Sequence, residues 1–94
     1  MCVDERVFSD IDLNSLLTLL VVYRERCVTR AAVCLQVKQP AVSNTLAKLR
    51  SQFGDPLFIR HCRGVTPTPK AVEIVERLGP AFGQIESILS AAVP

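Results

Sequence analysis

The stretch TRAAVCLQVKQPAVSNTLAKLR, Thr29–Arg50, holds two short apolar patterns at helical spacing, separated only by QVKQP and carrying a surplus of positive charge. In the second pattern Val42, Leu46 and Leu49, continued by Phe53, fall at i, i+4, i+7 and i+11, which is one narrow helix face. Pro40 suits the first turn of that helix, where its missing N–H costs nothing. The opposite side of the wheel carries Pro40, Ser43, Asn44, Ala47, Lys48 and Ser51: small, hydrogen-bonding or basic, with no acid among them. In the first pattern Thr29 is placed to cap a short helix by accepting the N–H of Ala32, and that helix runs to about Gln36. Ala31 and Ala32 let another helix cross closely, and Leu35 points into the core with them. Gly54 closes the second helix as a left-handed cap.

Working outward, Asp12 is an N-cap signal for an earlier helix reaching about Arg26, with Leu13, Leu16, Leu17, Leu20 and Tyr23 or Arg24 as its buried stripe. Beyond Gly54, LFIRH alternates, CRG turns and VTPT returns, which reads as a small β-hairpin with Arg63 at its tip. Thr68 and Pro69 then form a cap and first-turn pair for a closing helix. Its stripe is Val75, Leu78, Phe82, Ile85, Leu89 and Ala92, with Gly79-Pro80 in the middle. The first turns should pack on their own domain, leaving Phe82, Ile85 and Leu89 uncovered unless a second chain meets them. The expected organisation is a lead-in over 1–11, a three-helix core with a hairpin wing over 12–67, and a long linker helix over 68–94. The fold class is mostly α, a winged helix-turn-helix.

Composition sets the bounds on function. Ninety-four residues make one small domain, and 49% apolar with 21% charged residues describes a globular chain rather than a disordered one. The net charge of +2 conceals segregation: Arg24 to Lys70 holds nine basic residues against Glu25 and Asp55, a net +7, while residues 1–23 carry −3 and residues 71–94 carry −2. The middle is the anion-facing part. Cys2, Cys27, Cys34 and Cys62 form no C-x-x-C pair and the single histidine, His61, adds no second ligand, so neither metal nor cofactor is expected. Cys27 and Cys34 are expected to be core thiols and His61 an exposed or half-buried loop residue. LLTLLVVY is far too short to span a bilayer and the acids before it are wrong for a secretory signal, so a cytoplasmic chain without membrane contact is expected. Paired carboxylates, a phosphate loop and a nucleophile elbow are all missing, which argues against an enzyme.

Two short helices joined by a tight turn, the second with an acid-free polar face, match the helix-turn-helix that enters a DNA major groove. Gln39, Ser43 and Asn44 on the N-terminal half carry amide and hydroxyl groups able to distinguish base pairs. Thr29, Arg30, Lys48 and Arg50 are better placed for phosphates, which position without specifying. Arg63 on the hairpin suits the narrow minor groove. A winged-helix module that binds protein instead of DNA is the rival reading, since fold does not fix function.

With DLNSLLTLL, VTRAAVCLQVKQPAVSNTLAKLRSQFGDPLFIR and RGVTPTPKA in place, the chain resembles the N-terminal DNA-binding domain and linker helix of a LysR-type transcriptional regulator over residues 11–92. The resemblance implies base contacts from Gln39, Pro40, Ser43 and Asn44, backbone contacts from Thr29 and Arg30, and Arg63 in the minor groove. It implies a homodimer through the linker helix, with Val75, Leu78, Phe82, Ile85 and Leu89 at the interface, and a dimer or tetramer acting on interrupted inverted repeats in double-stranded DNA. The small-molecule effector would bind a C-terminal domain that this chain lacks. Lys38 departs from the family's usual serine, which removes a cap worth about 1 kcal/mol while adding a charge suited to phosphate. Asn44 replaces a frequent arginine, moving the expected contact from guanine towards adenine. Cys27 and Val28 replace the usual serine and aromatic residue before Thr29. The family pattern also implies that the closing helix continues, bent, through Pro80.

Overall fold

The computed structural model describes residues 2–92; the outer ends of the expected 1–11 and 68–94 segments, residues 1, 93 and 94, lie outside them. After one 3-10 turn at Glu5–Phe8 the chain forms α1 (Leu13–Glu25), α2 (Val28–Leu35), α3 (Gln39–Phe53), β1 (Phe58–His61), β2 (Gly64–Pro67) and α4 (Pro69–Ala92). This is a mostly helical winged helix-turn-helix, with β1 and β2 antiparallel in the register Phe58↔Pro67 to His61↔Gly64.

Asp12 caps α1 as expected, its carboxylate accepting the Ser15 N–H at 2.8 Å. That N–H holds the carboxyl below its ordinary pKa. The buried face of α1, however, is Thr18, Leu19, Val21 and Val22, whereas Leu13 and Leu17 are exposed and Leu16 and Leu20 only half-buried. The expected stripe of Leu13, Leu16, Leu17 and Leu20 is therefore not the buried face of α1. α1 packs on α2, α3 and α4, so it buries more than one side and no single stripe describes its buried residues. Thr18 tolerates burial because its hydroxyl donates to the Asn14 carbonyl at 3.0 Å.

α2 starts before the expected cap at Thr29. The N-cap is Cys27, in extended conformation, and Thr29 lies exposed in the first turn. Val28, Ala31, Ala32 and Leu35 form the face turned to the core at i, i+3, i+4 and i+7, which requires Val28 to be helical already. Cys34 falls off that face and is exposed, while Cys27 is half-buried, so neither is a buried core thiol. All four cysteines are free.

α3 follows expectation: Val42, Leu46 and Leu49 are buried, Phe53 packs beside them, and Gly54 ends the helix at φ 63°. Lys38 makes no side-chain cap bond. The exit from α3 is fixed by Asp55, whose Oδ2 accepts both the Leu57 N–H and the Thr68 hydroxyl at 2.7 Å. These bonds hold Leu57, fully buried, at a φ of 65° that a bulky residue seldom adopts. Thr68 in turn accepts the Ala71 N–H at 3.2 Å and starts α4. Ala71 is fully buried, Ile74, Val75 and Leu78 pack on the same core, and α4 runs unbroken through Pro80. Among the described residues no helix is long and apolar enough to cross a membrane.

Candidate nucleic-acid interface

The turn between α2 and α3 is set by Gln36, left-handed at φ 58°, and by the Val37 N–H, which reaches back to the Ala32 carbonyl at 3.0 Å. This closure satisfies carbonyls at the end of α2 and swings the chain towards α3 within three residues. Lys38 is extended and Pro40 sits in the first turn of α3. With Val42, Leu46 and Leu49 facing inward, Gln39, Pro40, Asn44, Ala47, Lys48 and Ser51 are exposed along the outer side and Ser43 is half-buried. No acid occurs anywhere in α3.

Of the residues expected to meet phosphate, Thr29, Arg30, Lys38, Lys48 and Arg50 are all exposed. Two of them have partners that the sequence did not announce. The Thr29 hydroxyl lies 3.4 Å from Gln39 Oε1, joining the first turn of α2 to the first residue of α3. Arg30 donates from Nη2 to the Glu25 carbonyl at 2.9 Å, and its Nε lies 3.8 Å from the Glu25 carboxylate. Arg24 also binds that carboxylate, at 2.8 Å, which raises the Arg24 pKa. Glu25, one of two acids in the basic stretch, is therefore engaged by two arginines. Cys27 stands beside them, its thiol held below the ordinary value chiefly by the Arg30 backbone N–H.

The wing is tied to the same region. Val65 is buried and its N–H donates to the Arg26 carbonyl at 3.0 Å, across the α1–α2 loop. Arg26 itself donates to the Tyr23 carbonyl and stacks on the Tyr23 ring at 4.7 Å. Gly64, at φ 133°, lets the hairpin come this close. Arg63 is exposed at the tip and, among the described residues, its guanidinium has no protein partner. His61 is not a loop residue but the last position of β1, with both ring nitrogens engaged.

On α4, Val75 and Leu78, expected at a dimer interface, pack instead on the core of their own chain. Phe82 and Ile85 are half-buried and Leu89 is 61% exposed. The last three line an open apolar groove with Leu13 and Leu17 of α1, which explains where the two misplaced leucines go.

Residues 13–72 match the family model described as a bacterial regulatory helix-turn-helix protein, lysR family. The chain belongs to this lysR family. It is 40% identical over 79 residues to the HTH-type transcriptional regulator LeuO of Escherichia coli K12, covering 84% of this chain and 23% of LeuO. The lysR chain thus spans about a quarter of the length of the curated relatives it matches. Among solved structures it superposes on the probable transcriptional regulator PA0477 of Pseudomonas aeruginosa with a TM-score of 0.87 at 30% identity, over 95% of this chain and 30% of that one. A complex of the BenM DBD with catB site 1 DNA shares the fold at a TM-score of 0.79 and 24% identity, over 87% of this chain and 92% of that one.

Proposed function

We propose that this chain is the DNA-reading head of a LysR-type transcriptional regulator in the cytoplasm, with α3 in the major groove and Arg63 in the minor groove. It acts as a dimer or tetramer on interrupted inverted repeats. The observation that carries the reading is the exposed, acid-free outer face of α3, with Gln39, Pro40, Ser43 and Asn44 at its N-terminal half. A DNA duplex is a polyanion, and an acid on this face would repel it. The BenM complex, built on the same fold, holds DNA. Phe82, Ile85 and Leu89 meet a second copy in this reading. The effector binds the part of the regulator that lies beyond the span of this chain.

Selection of duplexes from a random pool at low and moderate salt tests the proposal. Enrichment of an interrupted palindrome that survives moderate salt supports it. Binding without enrichment reduces the face to a charged surface, and no binding favours a protein partner.

Asn44→Ala should cost about 1–3 kcal/mol on the selected site and relax preference at one base pair, because an amide pairs with adenine through two bonds. Competition titrations against single-base variants of the site check this, and equal losses on every duplex would remove Asn44 from the readers. Arg30→Ala should weaken binding evenly and lower the slope of log K against log salt by about one. Arg30 is held by Glu25 at the end of α1, so little side-chain entropy is lost when it meets a phosphate. An unchanged slope would show that Glu25 keeps Arg30 from the DNA.

A further inference from the structure

We propose that His61 is the positioning residue for Arg63, and that it makes the wing's contact with DNA depend on pH. The inference rests on the wing reading above. The Arg63 backbone N–H donates to His61 Nδ1 at 3.2 Å, and His61 Nε2 lies 3.0 Å from Thr66 Oγ1. Because Nδ1 accepts, the proton of the neutral ring sits on Nε2 and is donated to the Thr66 hydroxyl. The register pairs His61 with Gly64 and Ile59 with Thr66, so His61 and Thr66 are diagonal neighbours across the hairpin. One ring therefore spans both strands and pins the backbone of the residue whose guanidinium projects from the tip.

Protonation undoes half of this arrangement. A charged imidazole donates from both nitrogens, so Nδ1–H would oppose the Arg63 N–H instead of accepting it. The groups around the ring offer the charge no relief. The hairpin carries Arg60, Cys62 and Arg63, the adjoining loop carries Arg26, and α4, which packs on β2, begins its charged residues with Lys70 and Glu73. Among the described residues no carboxylate pairs with the ring. The pin is present while the ring is neutral and is lost when a falling pH protonates it.

Affinity for a duplex carrying the selected site is measured at pH 7.5 and 5.5 for the native chain, His61→Asn and His61→Ala, each with and without Arg63→Ala. Comparing the cost of Arg63→Ala within each background cancels general effects of pH and of the extra charge. In the native chain that cost should be about tenfold at pH 7.5 and under about twofold at pH 5.5. An asparagine carbonyl can accept the N–H two residues on and does not titrate, so in H61N the cost should be about tenfold at both pH values. In H61A it should be under about twofold at both. Circular dichroism melts establish that each variant is folded under the binding conditions. An equal cost of Arg63→Ala in the native and H61A chains overturns the positioning role, and an equal cost at both pH values in the native chain overturns the pH dependence. If Arg63→Ala costs nothing in any background while the duplex still binds, the wing reading itself falls.

Discussion

Gly64→Ala is expected to destabilise the domain by about 3 kcal/mol and to lower its melting temperature by about 15 °C. Two physical effects add. At φ 133° the backbone lies where side chains are strained, which by itself is worth about 1–3 kcal/mol. A Cβ at Gly64 would also collide with the Arg26 carbonyl oxygen, which is backbone and cannot swing aside. Relief requires the hairpin to lift from the α1–α2 loop. Lifting breaks the bond from the buried Val65 N–H to the same carbonyl, a further loss of about 1–3 kcal/mol. Gly54→Ala is the internal control, since Gly54 has φ 63° but nothing within 4 Å of its Cβ position. It should cost only about 1 kcal/mol, the strain alone. Thermal unfolding of the two variants side by side checks the difference, and a Gly64→Ala melt no lower than that of Gly54→Ala would mean that the wing is not seated through this contact.

Gly64 also shows what could and could not be read from the chain. The sequence places a glycine in a hairpin turn, but its closest neighbour is Arg26, 38 positions earlier, and no local pattern reports such a contact. The same holds for Asp55, which reads as a turn residue and in fact ties the exit of α3 to the start of α4 through Thr68. Local signals were reliable where a cap, a turn or one narrow apolar stripe defines the element: the α3 face, the Asp12 cap, the Gly54 cap, the hairpin and the Thr68-Pro69 start all appear as expected. α1 defeated periodicity because it packs on α2, α3 and α4 and so buries more than one side. Thr29 was misplaced as a cap because a side-chain oxygen is the usual N-cap signal. The burial of Val28 instead sets the start of α2 one residue after Cys27. The residues expected to face DNA are exposed on the helix-turn-helix and wing apart from half-buried Ser43, but the bonds of Thr29, Arg30 and Arg63 to Gln39, Glu25 and His61 depend on geometry that only the folded chain supplies.

If α4 forms the proposed dimer, Phe82→Glu is expected to separate the two copies and to reduce affinity for a two-half-site duplex by about 10²-fold or more. The groove that Phe82 shares with Leu13, Leu17, Ile85 and Leu89 is open and apolar, and Ile88 beside it is 68% exposed. A carboxylate placed there loses water when a second copy closes over it and finds no cation in the groove lining to pair with. The head itself should survive, because Ile74, Val75 and Leu78 keep α4 on the core without Phe82. Affinity for a duplex with one half-site should therefore be unchanged, which separates loss of dimer from loss of fold. The expected factor follows from the proposed dimer, in which one bound head holds its twin at high local concentration over the second half-site; a monomer would forfeit that without losing a single contact to DNA. Sedimentation reads the assembly and the pair of duplexes reads its consequence. If the dimer persists and both affinities hold, the copies meet through another surface, and the leucines that α1 turns away from its core need a different partner.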